Sequence, residues 1–292
     1  MTTPIYVAIS SHGFGHAAQT CVVLNALAES RIGLKFNIST GVPRDFLTLL
    51  LRCDFEYYPE VVDPGLVMKS SLKVLQQESF DSYTSWFSRW DTHIEHLATQ
   101  MKQQRAALAL TNIAFAVAPA AKRVGIPALG FCSLNWADVF SHYCGHFDGA
   151  SQLVNQIQTA YANLDRFIRL TPAMPMSWMR NSITVPPIVR LGIDQRKRLN
   201  DALGVHQDRI RIVLVGFGGI DTPLPLKHWP TAQDVTWIIP AGEKRVREDI
   251  LSLGDLQLSY IDVLTSCDVV VTKAGYGTFV EAAFAAKPVV YV

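Results

Sequence analysis

The sequence carries almost no excess of charge and no paired cysteines. Across 292 residues, 26 Lys and Arg face 25 Asp and Glu, a formal net charge of +1. Near balance argues against a general nucleic-acid binder, which shows a basic excess on one face; a local basic patch stays open. The five cysteines, Cys21, Cys53, Cys132, Cys144 and Cys267, are scattered, with no CxxC pair. An odd count without metal-ligand spacing points to reduced thiols in a cytoplasmic protein. No long apolar run is present either. The richest stretch, 106–121, holds Asn112 and Pro119 and meets Lys122 and Arg123 at once, too short and too interrupted to span a bilayer. The segment before the first Gly/His loop is too short for a signal peptide. No Gly-Lys-Ser/Thr element follows any glycine loop, which disfavours a P-loop nucleotide hydrolase. Coiled-coil and low-complexity tracts are absent.

What the chain does have is apolar residues in short alternating blocks. Hydrophobic residues make up 49% of it, enough for a substantial core, and the length allows one large or two ordinary domains. Strands are expected at 5–10, 34–40, 55–58, 107–110 and 127–131, with helices at 17–29, 43–51 and 115–124, the last closed by Gly125. The stretch 72–105 reads as mostly helical. Its aromatics Phe80, Tyr83, Trp86, Phe87 and Trp90 suggest core packing, and Arg89, His93, His96, Lys102 and Arg105 a solvated face. An acceptor or membrane-proximal surface is the minority reading there. Composition shifts at 170–193, where Pro172, Pro175, Pro186 and Pro187 suggest a linker. Beyond it the alternation resumes: strands at 211–215, 236–240, 268–272 and 288–292, helices at 260–266 and 279–286. Strand–helix units in series predict an α/β chain with parallel sheets covered on both faces. The expected division is 1–185 and 186–292. Because the sequence stops inside an apolar strand, the second domain is expected to be incomplete.

Three glycine turns at strand ends are the candidate chemistry. The most informative is 266–281. Val269 to Val271 form a buried strand, Gly275 and Gly277 permit close backbone approach, and Thr278 is expected to open a helix near Phe279. A helix N-terminus suits a phosphate, and Glu281, one turn in, is placed to accept from a pair of sugar hydroxyls. Lys273 could add charge near a diphosphate or serve as a surface lysine. The second turn is Ser11-His-Gly-Phe-Gly-His16, between a strand and a helix. His16 there can act as a general base on a hydroxyl, or simply cap the helix. His12 and His16 lack a third ligand, so no metal is expected. Gly13-x-Gly15-x-x-Ala18 also fits a dinucleotide fingerprint. The second strand, however, ends Asn37-Ile-Ser-Thr-Gly41 without the acid that holds a ribose, which lowers an oxidoreductase reading. The third turn, Gly216-Phe-Gly-Gly219, brings amides near a phosphate or is an ordinary tight turn. Asn112, Asn135 and Trp136 follow strands and could line an acceptor pocket, with turn roles as plausible.

With both halves in view, the chain resembles the two-domain GT-B glycosyltransferases, in particular the peptidoglycan N-acetylglucosaminyltransferase-like group. It is also similar to the glycosyltransferase-like N-terminal domain of L-arabinokinases. The likeness rests on His12-Gly-Phe-Gly-His-Ala17, Ser133-Leu-Asn-Trp136, and Gly275-Tyr-Gly-Thr278 with Glu281. It implies two Rossmann-like domains facing a cleft. It also implies a metal-independent transferase that moves a hexose from a UDP-sugar, a donor substrate rather than a cofactor, to the hydroxyl of a sugar, lipid or small molecule. His16 is the base under that resemblance, and Gly13 and Gly15 in its loop are nucleotide-sugar-binding candidates. Gly218, Gly219, Lys273 and Gly275 to Thr278 meet the diphosphate, Glu281 holds the ribose, and the backbone at Tyr260 and Ile261 reads the base. No nucleic-acid partner or transmembrane segment is expected, and peripheral membrane contact stays open. A non-catalytic nucleotide-sugar-binding module is the alternative. Members of the family carry a further segment after the strand matching 288–292, and arabinokinases a sugar-kinase domain; neither is seen in the sequence.

Overall fold

In a computed structural model, which describes residues 2–30, 33–204, 210–220, 222–242 and 247–292, the chain divides into two units. The first comprises 1–69 and 73–188, the second 70–72 and 189–292.

Sequence alternation becomes a sheet in the first unit because its central strands are apolar on both faces. Its elements are β1 (Thr3–Ile9), α1 (Gly15–Glu29), β2 (Leu34–Thr40), α2 (Arg44–Leu50) and β3 (Phe55–Pro59). The short strands β4 (Met68–Ser70) and β5 (Lys73–Val74) follow as a separate two-stranded pair. Next come α3 (Gln76–Ser88), α4 (Trp90–Gln103), β6 (Leu108–Asn112), α5 (Val117–Val124), β7 (Ala128–Cys132), α6 (Trp136–Cys144), α7 (Ala150–Tyr161), β8 (Arg166–Leu170) and β9 (Ser182–Val185). Seven strands pair in parallel in the order β3-β2-β1-β6-β7-β8-β9. Ile5 through Ile9 are all buried, the doubly covered strand that an unbroken apolar run implies. Helix α1 turns Ala17, Cys21 and Leu24 inward, and α4 turns Ile94, Leu97, Ala98 and Met101 inward, each at the helical period. Burying those side chains stabilises the unit by about 1.5–3 kcal/mol for each large one.

The second unit holds α8 (Arg196–Leu203), β10 (Arg211–Gly216), β11 (Val235–Ile239), β12 (Ile250–Ser252), α9 (Tyr260–Ser266), β13 (Val269–Thr272), α10 (Tyr276–Phe284) and β14 (Val289–Tyr291). Its parallel sheet runs β12-β11-β10-β13-β14. Leu199, Ile212, Leu214, Ile238, Val263, Leu264, Val270 and Ala282 form its core.

Strand order places the candidate turns. In each sheet the chain winds outward from one central strand, then crosses back to wind the other way. The reversal lies between β1 and β6 in the first unit and between β10 and β13 in the second. Such switch points leave a crevice at the carboxyl ends of the two strands, where open α/β sheets bind ligands. The Gly/His loop follows β1, and the other two glycine turns follow β10 and β13.

Several expectations change. The stretch 72–105 is not one helical run. It begins in the β5 strand, and Arg89, at φ −116° and ψ 24°, separates α3 from α4. The proline-rich 170–193 contributes β9, which pairs with β8 from Phe167↔Ser182 to Leu170↔Val185. Its prolines flank the strand and do not interrupt its ladder, which is how an edge strand tolerates them. Helix α10 starts at Tyr276, not near Phe279, with extended Gly275 as its N-cap. Helices α6, α7 and α8 and strands β8 and β12 carry too few uninterrupted apolar repeats to stand out in the sequence.

Candidate functional site

In the first unit the site is built where β1 and β6 end side by side. Ile9 pairs with Asn112, and the Ser10 amide donates to the Asn112 carbonyl at 2.8 Å. Gly13 then turns the chain at φ 76°, a conformation that costs a glycine little, and Gly15 opens α1. His16, in the first turn of that helix, is buried to 7% exposure. Its Nδ1 lies 2.9 Å from Asn112 Oδ1. The other half of the Asn112 amide donates to Gln19 Oε1 at 3.1 Å, and that oxygen also takes the Cys132 thiol. With its N–H groups used there, Asn112 can only accept from His16, so Nδ1 carries the hydrogen and Nε2 the lone pair. Burial lowers the His16 pKa and so favours the neutral ring; the Asn112 hydrogen bond opposes that shift.

Beneath this loop lies a carboxylate that the sequence reading passed over. Asp63 Oδ1 accepts from Ser10 Oγ at 2.9 Å and Oδ2 from Trp136 Nε1 at 3.0 Å, and a Gly65 amide adds a further donor. Desolvation pushes its carboxyl up to about 6, against the pull of these three donors. In sequence Asp63 precedes Pro64-Gly65 and reads as an ordinary turn residue.

The expected acceptor residues do not line an open surface. Asn112 and Asn135 are wholly buried and Trp136 is 1% exposed. Asn135 is the N-cap of α6, its Oδ1 accepting from the Asp138 amide at 2.9 Å. The Trp136 ring meets His12 edge-on at 5.2 Å and His16 at 6.1 Å. Each side-chain polar group has a protein partner: Asn112 holds His16, Trp136 packs against His12 and His16 and donates to Asp63, and Asn135 caps α6.

The second unit assembles its turns where β10 and β13 end. Gly216 pairs with Thr272, and the Thr272 hydroxyl donates to the Gly216 carbonyl at 2.6 Å. Any Cβ on Gly216 would lie 2.9 Å from the Tyr260 hydroxyl, so glycine is what lets α9 close over the strand end. Gly218 sits at φ 82°, and a Cβ there would touch Lys273 at 3.6 Å; Gly219 is exposed beside it. Lys273 is half-buried, desolvation lowers its pKa, and no carboxylate among the described residues pairs with it. Next to it α10 begins, with Gly277 and Thr278 in the turn whose amides have no carbonyl one turn back. Gly218, Lys273, Gly275, Gly277 and Thr278 are thus brought together. The Thr278 and Tyr260 side chains hydrogen bond, and burial raises the Tyr260 pKa to about 12.

Glu281 is 6% exposed and is met by Arg190, with Nε at 2.8 Å and Nη2 at 2.7 Å, both on Oε1. Burial raises its pKa; Arg190 opposes that. Arg190 lies just past the prolines, and no local pattern marks it. Tyr260 and Ile261 lie in the first turn of α9, capped by Ser259. The Ile261 carbonyl accepts from Thr265 Oγ1 at 2.8 Å. Among the described residues no group of three or more His, Cys, Asp or Glu is arranged to hold a metal. No helix among them is long and apolar enough to cross a membrane.

Comparison with known proteins places this architecture. A complex of a UDP-glucosyltransferase from Polygonum tinctorium, capable of glucosylating indoxyl, with 3,4-dichloroaniline superposes at TM-score 0.62. That match covers 100% of this chain and 80% of that one at 16% identity. Arabidopsis thaliana UGT89C1 complexed with UDP-L-rhamnose gives 0.60, covering 100% and 79% at 13% identity. The fold is that of the GT-B glycosyltransferases. No protein-family model matches the chain. In sequence it is similar to an L-arabinokinase of Arabidopsis thaliana, 25% identical over 295 aligned residues, which cover 97% of this chain. The chain spans 27% of that relative's length.

Proposed function

We propose that the chain binds a UDP-sugar in its second unit and transfers the hexose to an acceptor hydroxyl with His16 as general base. The observation that carries the reading is the cradle at the β10–β13 switch point. There a half-buried ammonium with no acidic partner among the described residues, a positive-φ glycine turn and a helix start converge. A diphosphate would neutralise that ammonium. Amides of Gly218, Gly219, Gly277 and Thr278 meet the same anion. Glu281 accepts from the ribose, and the amides of Tyr260 and Ile261 border the base.

In the transfer, His16 Nε2 takes the acceptor hydroxyl proton as the acceptor oxygen bonds to the anomeric carbon. The bond from that carbon to the diphosphate oxygen breaks, and its electron pair leaves on UDP. Lys273 and the helix amides stabilise that charge, so the step asks for no metal. The GT-B fold of the UDP-sugar-bound structures supports the donor class. The activity named for the L-arabinokinase stays with that longer protein.

A second reading, a nucleotide-sugar-binding module without transfer, is favoured by one observation: His16, Asn112, Asn135 and Trp136 are all buried. A thermal-shift panel of UDP, UDP-sugars and NAD(P), followed by transfer assays on wild type and His16→Ala, separates the readings. The transferase predicts stabilisation by UDP, and a His16→Ala chain that binds UDP normally but does not transfer. Stabilisation by NAD(P) alone rejects both readings; wild-type turnover in His16→Ala removes His16 as the base.

A further inference from the structure

The ion pair between Arg190 and Glu281 has an asymmetry that packing alone does not require. A guanidinium meets a carboxylate best as a fork, one N–H on each oxygen. Here Nε and Nη2 both fall on Oε1, at 2.8 and 2.7 Å. A carboxylate offers about four acceptor sites, so Oε2 keeps capacity for another donor. The pair is also well hidden, with side-chain exposures of 23% and 6%. A buried carboxylate without a partner loses its charge or its position. The other titratable group facing it is Tyr260, whose hydroxyl is engaged with Thr278.

We infer that Arg190 is a positioning residue for the ribose of the bound nucleotide: it clamps Glu281 through Oε1 so that Oε2 points to the sugar diol. The assignment rests on the nucleotide-sugar reading of the second unit and deepens it. Specificity for a ribonucleotide over a deoxyribonucleotide is then set by a residue at the start of the second unit, 91 positions from the carboxylate it orients. Arg190 itself need not touch the ligand.

The test is calorimetric binding of UDP and of 2′,3′-dideoxyuridine diphosphate to wild type, Arg190→Lys, Arg190→Met and Glu281→Gln. Wild type should prefer UDP by about tenfold, one charge-assisted hydrogen bond's worth. Arg190→Met should lose that preference by weakening UDP alone, leaving the dideoxy nucleotide within about twofold of wild type; Glu281→Gln should match it, and Arg190→Lys should restore part of it. An Arg190→Met chain that keeps the preference, or weakens both nucleotides equally, overturns the assignment. Should the methionine variant not fold, the lysine variant decides: unchanged preference at a shorter, non-forked cation overturns it too. Wild type that binds UDP no better than inorganic diphosphate overturns the nucleotide reading itself, and the Arg190 assignment with it.

Discussion

Asp63 offers a direct electrostatic test of how the His16 loop is held. Its carboxyl moves from an ordinary 3.8 to about 6 in the folded chain because burial outweighs the three donors around it. A folded-state pKa above the unfolded one means that the folded chain holds a proton the unfolded chain has already released. The associated stability is fully present below about pH 4 and lost as pH rises through about 6. The displacement corresponds to about 3 kcal/mol, with a steepest slope of about 1.4 kcal/mol per pH unit. Asp63→Asn removes the titration and adds a pH-independent cost, because an amide nitrogen replaces one of the two oxygens that accept from Ser10, Trp136 and Gly65. Urea unfolding followed by tryptophan fluorescence, run on both proteins from pH 3.5 to 8, isolates the group, since other titrations cancel in the difference. Wild type should lose about 3 kcal/mol relative to Asp63→Asn across that window. A flat difference, or one that grows with pH, would refute the account of Asp63 as a desolvated carboxylate.

Two further substitutions probe the second unit. Lys273→Met should raise the melting temperature without ligand, because it removes a half-buried, desolvated ammonium. The same change should weaken UDP at least tenfold; a variant whose UDP affinity is intact takes Lys273 out of the cradle. Gly192→Ala should destabilise the second unit by more than about 3 kcal/mol, because its Cβ would press on the Ile261 carbonyl, which cannot yield as a flexible side chain can. A melting temperature within a degree or two of wild type would show that α9 can shift to make room.

Much of the frame was readable because it is encoded by neighbours in sequence. The unbroken apolar run at β1, the Gly125 C-cap at φ 74° and the start of α9 behind Ser259 are local arrangements of period, glycine and capping side chain. The same local logic failed where two signals competed. Four prolines in 170–193 spoke for a linker, yet Ser182–Val185 had a free edge at β8 to join. Gly275 and Gly277 looked like one continuous turn, yet only Gly275 is extended. Gly277 is already helical, which shifts the unpaired amides of the helix start toward the β13 end.

The roles of individual side chains divide along the same line. His16 and Glu281 stand out in the sequence because each sits one short step from a glycine turn at a strand end. Their partners do not. Asn112 is 96 positions from His16, Arg190 is 91 from Glu281, and Trp136 is 73 from Asp63. Asn112 and Trp136 were noticed, but as acceptor contacts, since strand-end polar and aromatic residues look alike in sequence whether they face a ligand or the core.

The sequence by itself determined two alternating α/β halves, the three glycine turns and the chemistry-bearing residues beside them, because periodicity and backbone permissiveness are properties of short segments. Tertiary structure alone decided which turns share a switch point, which tautomer His16 adopts and which oxygen of Glu281 is already taken. Those outcomes depend on strand order and burial, and a buried polar group must be satisfied by whatever the fold brings within about 3 Å.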